Sequence, residues 1–324
     1  MVKAVGLFSG GLDSILAAKL LQKLGVDVEL VNFTTPFFKP KKAIEMAEQI
    51  KIPLKVFDVT KDYIKMLRKP KHGYGSALNP CKDCKIFMLK KAKNDGKKIG
   101  AKFIFTGEVL GERPMSQNKK ALELIEKEAG LKGKLLRPLS AKLLPVTKAE
   151  KWVDREKLLD IQGRKREKQM ELAKEFRIKD YPTPAGGCLL TSKEYAYKVK
   201  DLLDNKKNIS LEDLELLKIG RHFRSGKSKI IVGRDEKENK ELLRLKNKSD
   251  YIFEVPNIGS PTAILKGKIS KDSIRLAASL TAHYSDSKEN KTCVKYGKGT
   301  LNKSVLVPDL KNEKINKLRI ISSF

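Results

Sequence analysis

The segment Phe8-Ser9-Gly10-Gly11-Leu12-Asp13-Ser14 follows the apolar run Val2-Lys3-Ala4-Val5-Gly6-Leu7 and precedes the helical pattern Ile15-Leu16-Ala17-Ala18-Lys19-Leu20-Leu21. A strand therefore ends, and a helix begins, inside seven residues. The first N–H groups of such a helix have no intrahelical acceptor and point outward, so they and the helix dipole attract an anion. Gly10 and Gly11 let phosphate oxygens come close to the backbone, and Ser9 and Ser14 add hydroxyl donors. Asp13 is expected to cap the helix and, beside a bound nucleotide, to help hold Mg2+. The plain alternative is an ordinary capped turn.

Further apolar runs follow at Val28–Phe33, Leu54–Val59 and Lys102–Thr106, with a helix expected from about Lys41 to Ile50. Strands alternating with helices predict an α/β fold with a right-handed parallel sheet. In such a sheet ligands sit beyond the carboxyl ends of the strands. This adds Asn32 and Phe33, and then Thr106 and Gly107, to Ser9, Gly10, Gly11, Asp13 and Ser14 as candidate nucleotide contacts.

At 324 residues two domains are expected. We place the boundary near 190, with residues 1–190 as the catalytic nucleotide domain and 191–324 as a smaller, basic α/β domain. The formal charge is +30, from 69 Lys+Arg against 39 Asp+Glu. That excess is more than solubility needs and favours a polyanionic partner, nucleic acid first. No run approaches the roughly twenty apolar residues of a membrane span, so the expectation is a cytoplasmic protein with no membrane partner. Two basic segments are candidates for RNA: a helix expected over about 163–176, with Arg164, Lys165, Arg166 and Lys168, and the loop Arg221–Lys229, with Phe223 for base stacking.

Four cysteines are too few for a disulfide scaffold. Cys81 and Cys84 form a Cys-x-x-Cys pair ahead of a helix expected from Lys85, and Cys188 follows Pro182-Thr183-Pro184-Ala185-Gly186-Gly187. Three thiolates can hold a [4Fe–4S] cluster and leave one iron open. The same residues could instead act as catalytic thiols, one carrying a persulfide and another resolving it. Zinc would need His72 or Asp83 as a fourth ligand. Cys293 lies in a strand-like run and reads as a packed thiol.

Ser9 to Ser14 resembles the PP-loop signature of ATP pyrophosphatases, which lacks the lysine of a Walker loop. Taken with Asn79-Pro80-Cys81-Lys82-Asp83-Cys84, Thr106-Gly107-Glu108 and Ala185-Gly186-Gly187-Cys188, it is similar to the PP-loop tRNA sulfurtransferases over about residues 1–190. The resemblance implies that ATP adenylates a uridine carbonyl oxygen and that sulfur then displaces AMP. It also implies that Ser9, Gly10, Gly11, Asp13 and Ser14 bind the pyrophosphate, that Gly107 lies near the adenylate, and that Cys81, Cys84 and Cys188 match the cluster ligands of the iron–sulfur branch. Asp13 and the three cysteines are thus the expected catalytic residues. Cys84 departs from the 2-thiouridylases, and the sequence shows neither a THUMP-like region nor a rhodanese-like extension. Both departures favour cluster-bound sulfide over a persulfide relay. The implied partners are tRNA and a sulfur donor, with a homodimer left open. Competing readings are another PP-loop adenylating enzyme and a non-catalytic RNA-binding protein.

Overall fold

The computed structural model describes residues 1–182 and 188–321, which form two compact units, Met1–Thr191 and Ser192–Phe324. The Ala185-Gly186-Gly187 part of the fourth motif lies outside the described residues, and Cys188 lies within them.

In order, the first unit contains β1 (Lys3–Leu7), α1 (Leu12–Lys23), β2 (Asp27–Thr34), α2 (Lys41–Ile50), β3 (Leu54–Asp58), α3 (Thr60–Arg68), α4 (Cys81–Lys98), β4 (Phe103–Thr106), α5 (Lys119–Glu128), β5 (Leu135–Leu136) and α6 (Glu167–Glu175). The five strands are all parallel, in the order β3-β2-β1-β4-β5. From β1 the chain first steps to β2 and β3 on one side and later returns to β4 and β5 on the other. The order therefore reverses between β1 and β4, and a ligand crevice opens at that point beyond the strand ends. Helix α1 is apolar nearly all round, with Leu12, Ile15, Leu16, Ala17, Ala18, Leu20 and Leu21 all buried. A helix of that kind is enclosed by neighbours rather than laid on a surface, and α1 packs against the sheet, α2 and α6.

Two expectations about helices need correction. The helix expected from Lys85 begins at Cys81: Pro80 stands at its cap, where a missing N–H costs nothing, and the Cys84 N–H donates to the Pro80 carbonyl at 2.8 Å. The basic helix expected from about 163 starts only at Glu167, which leaves Arg164 and Lys165 ahead of it and Arg166 at its cap.

The second unit runs α7 (Lys193–Asn205), α8 (Leu211–Leu216), β6 (Arg221–Ser225), β7 (Ser228–Val232), α9 (Glu236–Leu245), β8 (Tyr251–Glu254), β9 (Ala263–Gly267), α10 (Lys271–His283), β10 (Lys291–Lys298), β11 (Lys303–Pro308) and α11 (Asn312–Leu318). Its strands are antiparallel, in the order β11-β10-β8-β9-β7-β6. Alternate residues of the central strands feed two cores, Ile230, Phe253 and Leu265 with α10, and Ile231, Ile252 and Ile264 with Leu216, Leu242 and Leu245. No such cover lies over the outward residues of β10 and β11: Lys291, Cys293, Lys295 and Leu306 are exposed. Cys293 is therefore an exposed thiol and not a packed one, because it takes the outward phase of its strand.

Arg221–Lys229 is likewise not a loop. It is the β6–β7 hairpin, turned at Gly226-Lys227 with Gly226 at φ +53°. The Phe223 ring is fully buried, and so is unavailable for stacking on a base. Arg224 reaches Asp201 through Nε and Nη2, each at 2.7 Å, and the buried Lys229 reaches the same carboxylate at 2.9 Å. Burial pushes the Asp201 carboxyl up, but the hydrogen bond and charge of Arg224 and the charge of Lys229 outweigh it and hold the group below its ordinary value.

Asp201→Asn is expected to destabilise the second unit by about 3 kcal/mol, since it leaves the Lys229 ammonium buried without a counterion. Because the folded carboxyl titrates below its unfolded value, its contribution is complete above about pH 4 and is lost as pH falls through the folded value. Denaturant midpoints measured from pH 7 down to pH 3 check both statements: the gap between wild type and variant should narrow as the pH falls.

Candidate functional site

The loop between β1 and α1 is shaped by its own hydroxyls and by two glycines. Gly10 has φ +74°, a left-handed conformation that side chains disfavour, and a Cβ there would lie 2.7 Å from the backbone of Lys42 and Ala43. The Gly11 N–H donates to Ser9 Oγ at 3.3 Å, Ser14 Oγ–H donates to the Gly11 carbonyl at 2.8 Å, and the two serine hydroxyls lie 3.3 Å apart. Gly11 is the cap position and offers no side-chain cap; Asp13 stands inside the first turn, so the expectation that it caps the helix is corrected. Asn32 fixes the strand end before the loop, its Nδ2 donating to the Phe8 carbonyl at 2.8 Å. Phe33 is buried, with its ring on Phe57, so its side chain serves packing.

Across the reversal point β4 ends in Thr106-Gly107-Glu108. A Cβ on Gly107 would lie 2.5 Å from the Asp13 carbonyl group and the Ser14 nitrogen, so only glycine lets the end of β4 pass this close to the start of α1. On either side the chain is pinned: Thr106 Oγ1 donates to Glu108 at 3.0 Å, and Arg137 Nε donates to the same carboxylate at 3.2 Å. Burial pushes the Glu108 carboxyl up, yet Lys85 and Arg137 outweigh it and keep the group below its ordinary value.

Asp13 meets groups that the sequence reading had not joined to it. Burial raises its carboxyl above the ordinary value, and the Arg166 charge, the Gln169 amide and the Arg113 charge only partly offset this. Glu112 is also raised, by burial and by the nearby Asp13 charge. Gln162 bridges to Leu110, and the Gly163 N–H donates to the Leu110 carbonyl at 2.7 Å. This pairing brings the approach to α6 beside the loop after β4. No local motif signals it; the only hint was the arginine itself, which we had placed on an RNA-facing helix.

The three cysteines converge. Cys81 and Cys84, three apart, share one face of the first turn of α4. Cys188 is held near them because the Leu189 N–H donates to the Phe37 carbonyl at 3.3 Å, and Phe37 packs on Tyr63. Asn79 Nδ2 donates to Cys81 Sγ at 3.1 Å. Burial pushes Cys84 up to about 12, despite the Tyr63 hydroxyl, and pushes Cys188 up to about 11, with the Cys81 sulfur adding to it. Tyr63 is enclosed by Phe37, Phe38 and Phe87, and its hydroxyl, without an acceptor at hydrogen-bonding geometry, is driven up by burial and by all three sulfurs. The proposed zinc partners do not join the thiols. Asp83 accepts from the backbone N–H groups of Lys71 and His72 at 3.1 and 2.9 Å, and the His72 ring faces Glu128 at 3.2 Å. Among the described residues no three His, Cys, Asp or Glu side chains gather closely enough for a single metal ion. Three thiols without a fourth protein ligand fit a three-cysteine cluster in donor chemistry better than a closed zinc site.

Residues 1–143 match the family described as Thiamine biosynthesis protein (ThiI), and residues 220–319 match the NFACT protein RNA binding domain. A probable tRNA sulfurtransferase of Thermococcus kodakarensis is 33% identical over 120 residues, covering 34% of this chain and 30% of that protein. Its counterpart in Lactobacillus helveticus is 31% identical over 119 residues, covering 34% and 28%. The matched stretch thus spans less than a third of the length of these relatives. A 4-thiouridine synthetase solved with RNA and bound ATP aligns at 20% identity over 67% of this chain and 52% of that one, with a TM-score of 0.37. Residues 1–143 of the first unit are thus similar to the ThiI family, and residues 220–319 of the second unit are similar to the NFACT protein RNA binding domain.

Gly107→Ala tests the contact at the reversal point. Its Cβ would meet backbone and not a flexible side chain, so the first unit should lose roughly 1–3 kcal/mol, as overpacked sites do. A chemical-denaturation midpoint equal to wild type would contradict the close approach.

Proposed function

We propose that this protein is an ATP-dependent tRNA sulfurtransferase. The observation that carries the reading is the meeting of the Ser9–Ser14 loop and Gly107 at the point where strand order reverses, in a domain of ThiI type. The backbone N–H groups at the start of α1 and the Ser9 and Ser14 hydroxyls take the pyrophosphate of MgATP, and Asp13 faces its magnesium. A uridine carbonyl oxygen attacks the α-phosphorus and pyrophosphate leaves. Sulfur then attacks the activated carbon, the carbon–oxygen bond breaks, and AMP departs with that oxygen. Fixed N–H donors aimed at the phosphates stabilise the charge that builds on them during the first step.

Cys81, Cys84 and Cys188 would hold a [4Fe–4S] cluster on three irons, and such a cluster supplies an open iron able to carry sulfide. In the proposal this chain's own residues position that chemistry: Asn79 offers an N–H to Cys81, and the Phe37, Phe38 and Phe87 rings hold Tyr63 beside the cysteines. The thiol alternative, with a persulfide on one cysteine, is disfavoured at Cys84 and Cys188, whose thiols burial pushes up. The second unit contributes tRNA affinity. Arg224 and Lys229 are occupied by Asp201, so we assign RNA contact to the exposed lysines of β10 and β11, Lys291, Lys295, Lys298 and Lys303.

Incubation with MgATP and bulk tRNA should release AMP and pyrophosphate only when tRNA is present, and Asp13→Ala should reduce that release by at least about 100-fold. AMP formed equally without tRNA would exclude the assignment. Under argon, Cys→Ser at 81, 84 or 188 should each remove bound iron and the thionucleoside, while Cys293→Ser should keep both. Full thiolation by iron-free protein would leave the persulfide route.

A further inference from the structure

Among the described residues, three buried polar atoms around the start of α1 have no hydrogen-bond partner: Arg166 Nε, Gln169 Oε1 and Asp13 Oδ1. Their chemistry is complementary and specific. One is a cationic donor with no acceptor, and two are acceptors with no donor. Leaving any of them unmet is costly, most of all for the charged groups. Gln169 is only 1% exposed, so bulk water does not meet its carbonyl.

The placement follows from α6. Arg166 stands at its cap and Gln169 in its first turn, three residues on, so both project from one face. Ala173, one turn further along that face, is buried in the same core as Leu16 and Leu20 of α1. The face of α6 that packs on α1 is therefore the face that carries Arg166 and Gln169 towards Asp13. The Arg166 charge acts on both Asp13 and Glu112, in keeping with the pairing of Gln162 and Gly163 with Leu110, which brings the start of α6 beside the loop after β4.

A bare phosphate would satisfy Arg166 and leave the two acceptors unmet. A bare cation would suit Asp13 and Gln169 and be repelled by Arg166. A polyphosphate carrying a hydrated divalent cation supplies all three needs, since magnesium retains several waters whose hydrogens seek acceptors.

We propose that Arg166 and Gln169 form the magnesium-triphosphate subsite facing the Ser9–Ser14 loop, with Arg166 donating to the β- and γ-phosphates and Gln169 and Asp13 accepting from magnesium-bound water. This rests on the ATP reading given above and adds a second wall to the site, contributed by a segment beyond the 1–143 family match. It removes Arg166 from the RNA-facing surface, where its position in a basic run would put it.

The test is equilibrium binding by calorimetry on the full chain, with ATP and AMP each titrated with and without Mg2+. Arg166→Ala and Arg166→Gln should weaken ATP by at least about tenfold, the scale of a lost charge-assisted hydrogen bond, and leave AMP within about twofold. AMP binding in the same variant shows that the fold and the adenosine end of the site survive. Gln169→Leu, similar in volume and lacking the acceptor, should raise the Mg2+ concentration for half-maximal ATP binding several-fold and leave magnesium-free ATP binding unchanged. ATP and AMP weakened in parallel, or neither changed, would overturn the subsite while leaving the loop's role standing. Wild-type protein that binds no ATP at all would remove the subsite and the ATP reading together.

Discussion

The first unit is organised by a backbone-to-backbone contact: Gly107, at the end of β4, lies against the Asp13–Ser14 peptide at the start of α1. Two strands that are neighbours in the sheet diverge in connection here, β1 leading to α1 and β4 to the loop over Gly107–Gln117. A side chain at Gly107 would hold the two loops apart and fill the crevice that strand reversal creates. Because α1 is buried almost all round, its first turn cannot tilt to relieve such pressure. The outward N–H groups are thus fixed in direction before any anion arrives, and fixed dipoles of this kind stabilise charge without a reorganisation cost at the moment of reaction.

Much of this was legible because it is local. The Ser9–Ser14 segment declares a strand, a turn and a helix within seven residues, and the runs at Val28, Leu54 and Lys102 are short and apolar with helical patterns between them, the alternation of a parallel α/β sheet. Helix α2 was readable to its ends for the same reason, as four buried positions, Ala43, Met46, Ala47 and Ile50, recur at helical spacing. What failed was the reading of segments whose role depends on a distant partner. Arg221 to Lys229 looks like a basic loop until Asp201, twenty residues earlier, takes up Arg224 and Lys229 and the alternation of Phe223, Ile230 and Val232 proves to be strand periodicity. The α4 start was misjudged because Asn79-Pro80 reads as a breaker, although proline is well suited to the position just ahead of a first helical turn. Cys293 needed the register of β10 to show which of its two faces meets the core.

The cysteine pocket shows how burial separates three chemically equal thiols. All three are partly buried: burial pushes the Cys84 and Cys188 thiols up, Cys84 beside Tyr63 and Cys188 next to Leu189, whose N–H donates to the Phe37 carbonyl. A low-dielectric setting disfavours three thiolates side by side, since each charge raises the cost of the next. Either protons or a cationic group must compensate there, and a metal cluster compensates while fixing all three sulfurs at once. The Tyr63 hydroxyl, buried without an acceptor, has these sulfurs as its near neighbours.

The excess of thirty positive charges also has to be divided before it says anything about RNA. Ion pairing leaves that excess unchanged, since it is net of every carboxylate, but it identifies cations that are committed internally: Arg137 is locked between Glu108 and Glu126, Lys229 and Arg224 converge on Asp201, Lys266 pairs with Asp250, and Arg234 with Glu238. Those cations are committed to carboxylates and cannot release counterions from a phosphate backbone. Among the exposed lysines of the second unit, Lys291 and Lys295 take the outward phase of β10, Lys303 lies on β11, and Lys298 rests over the Tyr251 ring. Of the lysines assigned to RNA contact only Lys303 belongs to the edge strand β11; β10 is paired on both sides, so Lys291, Lys295 and Lys298 lie within the sheet and not along its edge.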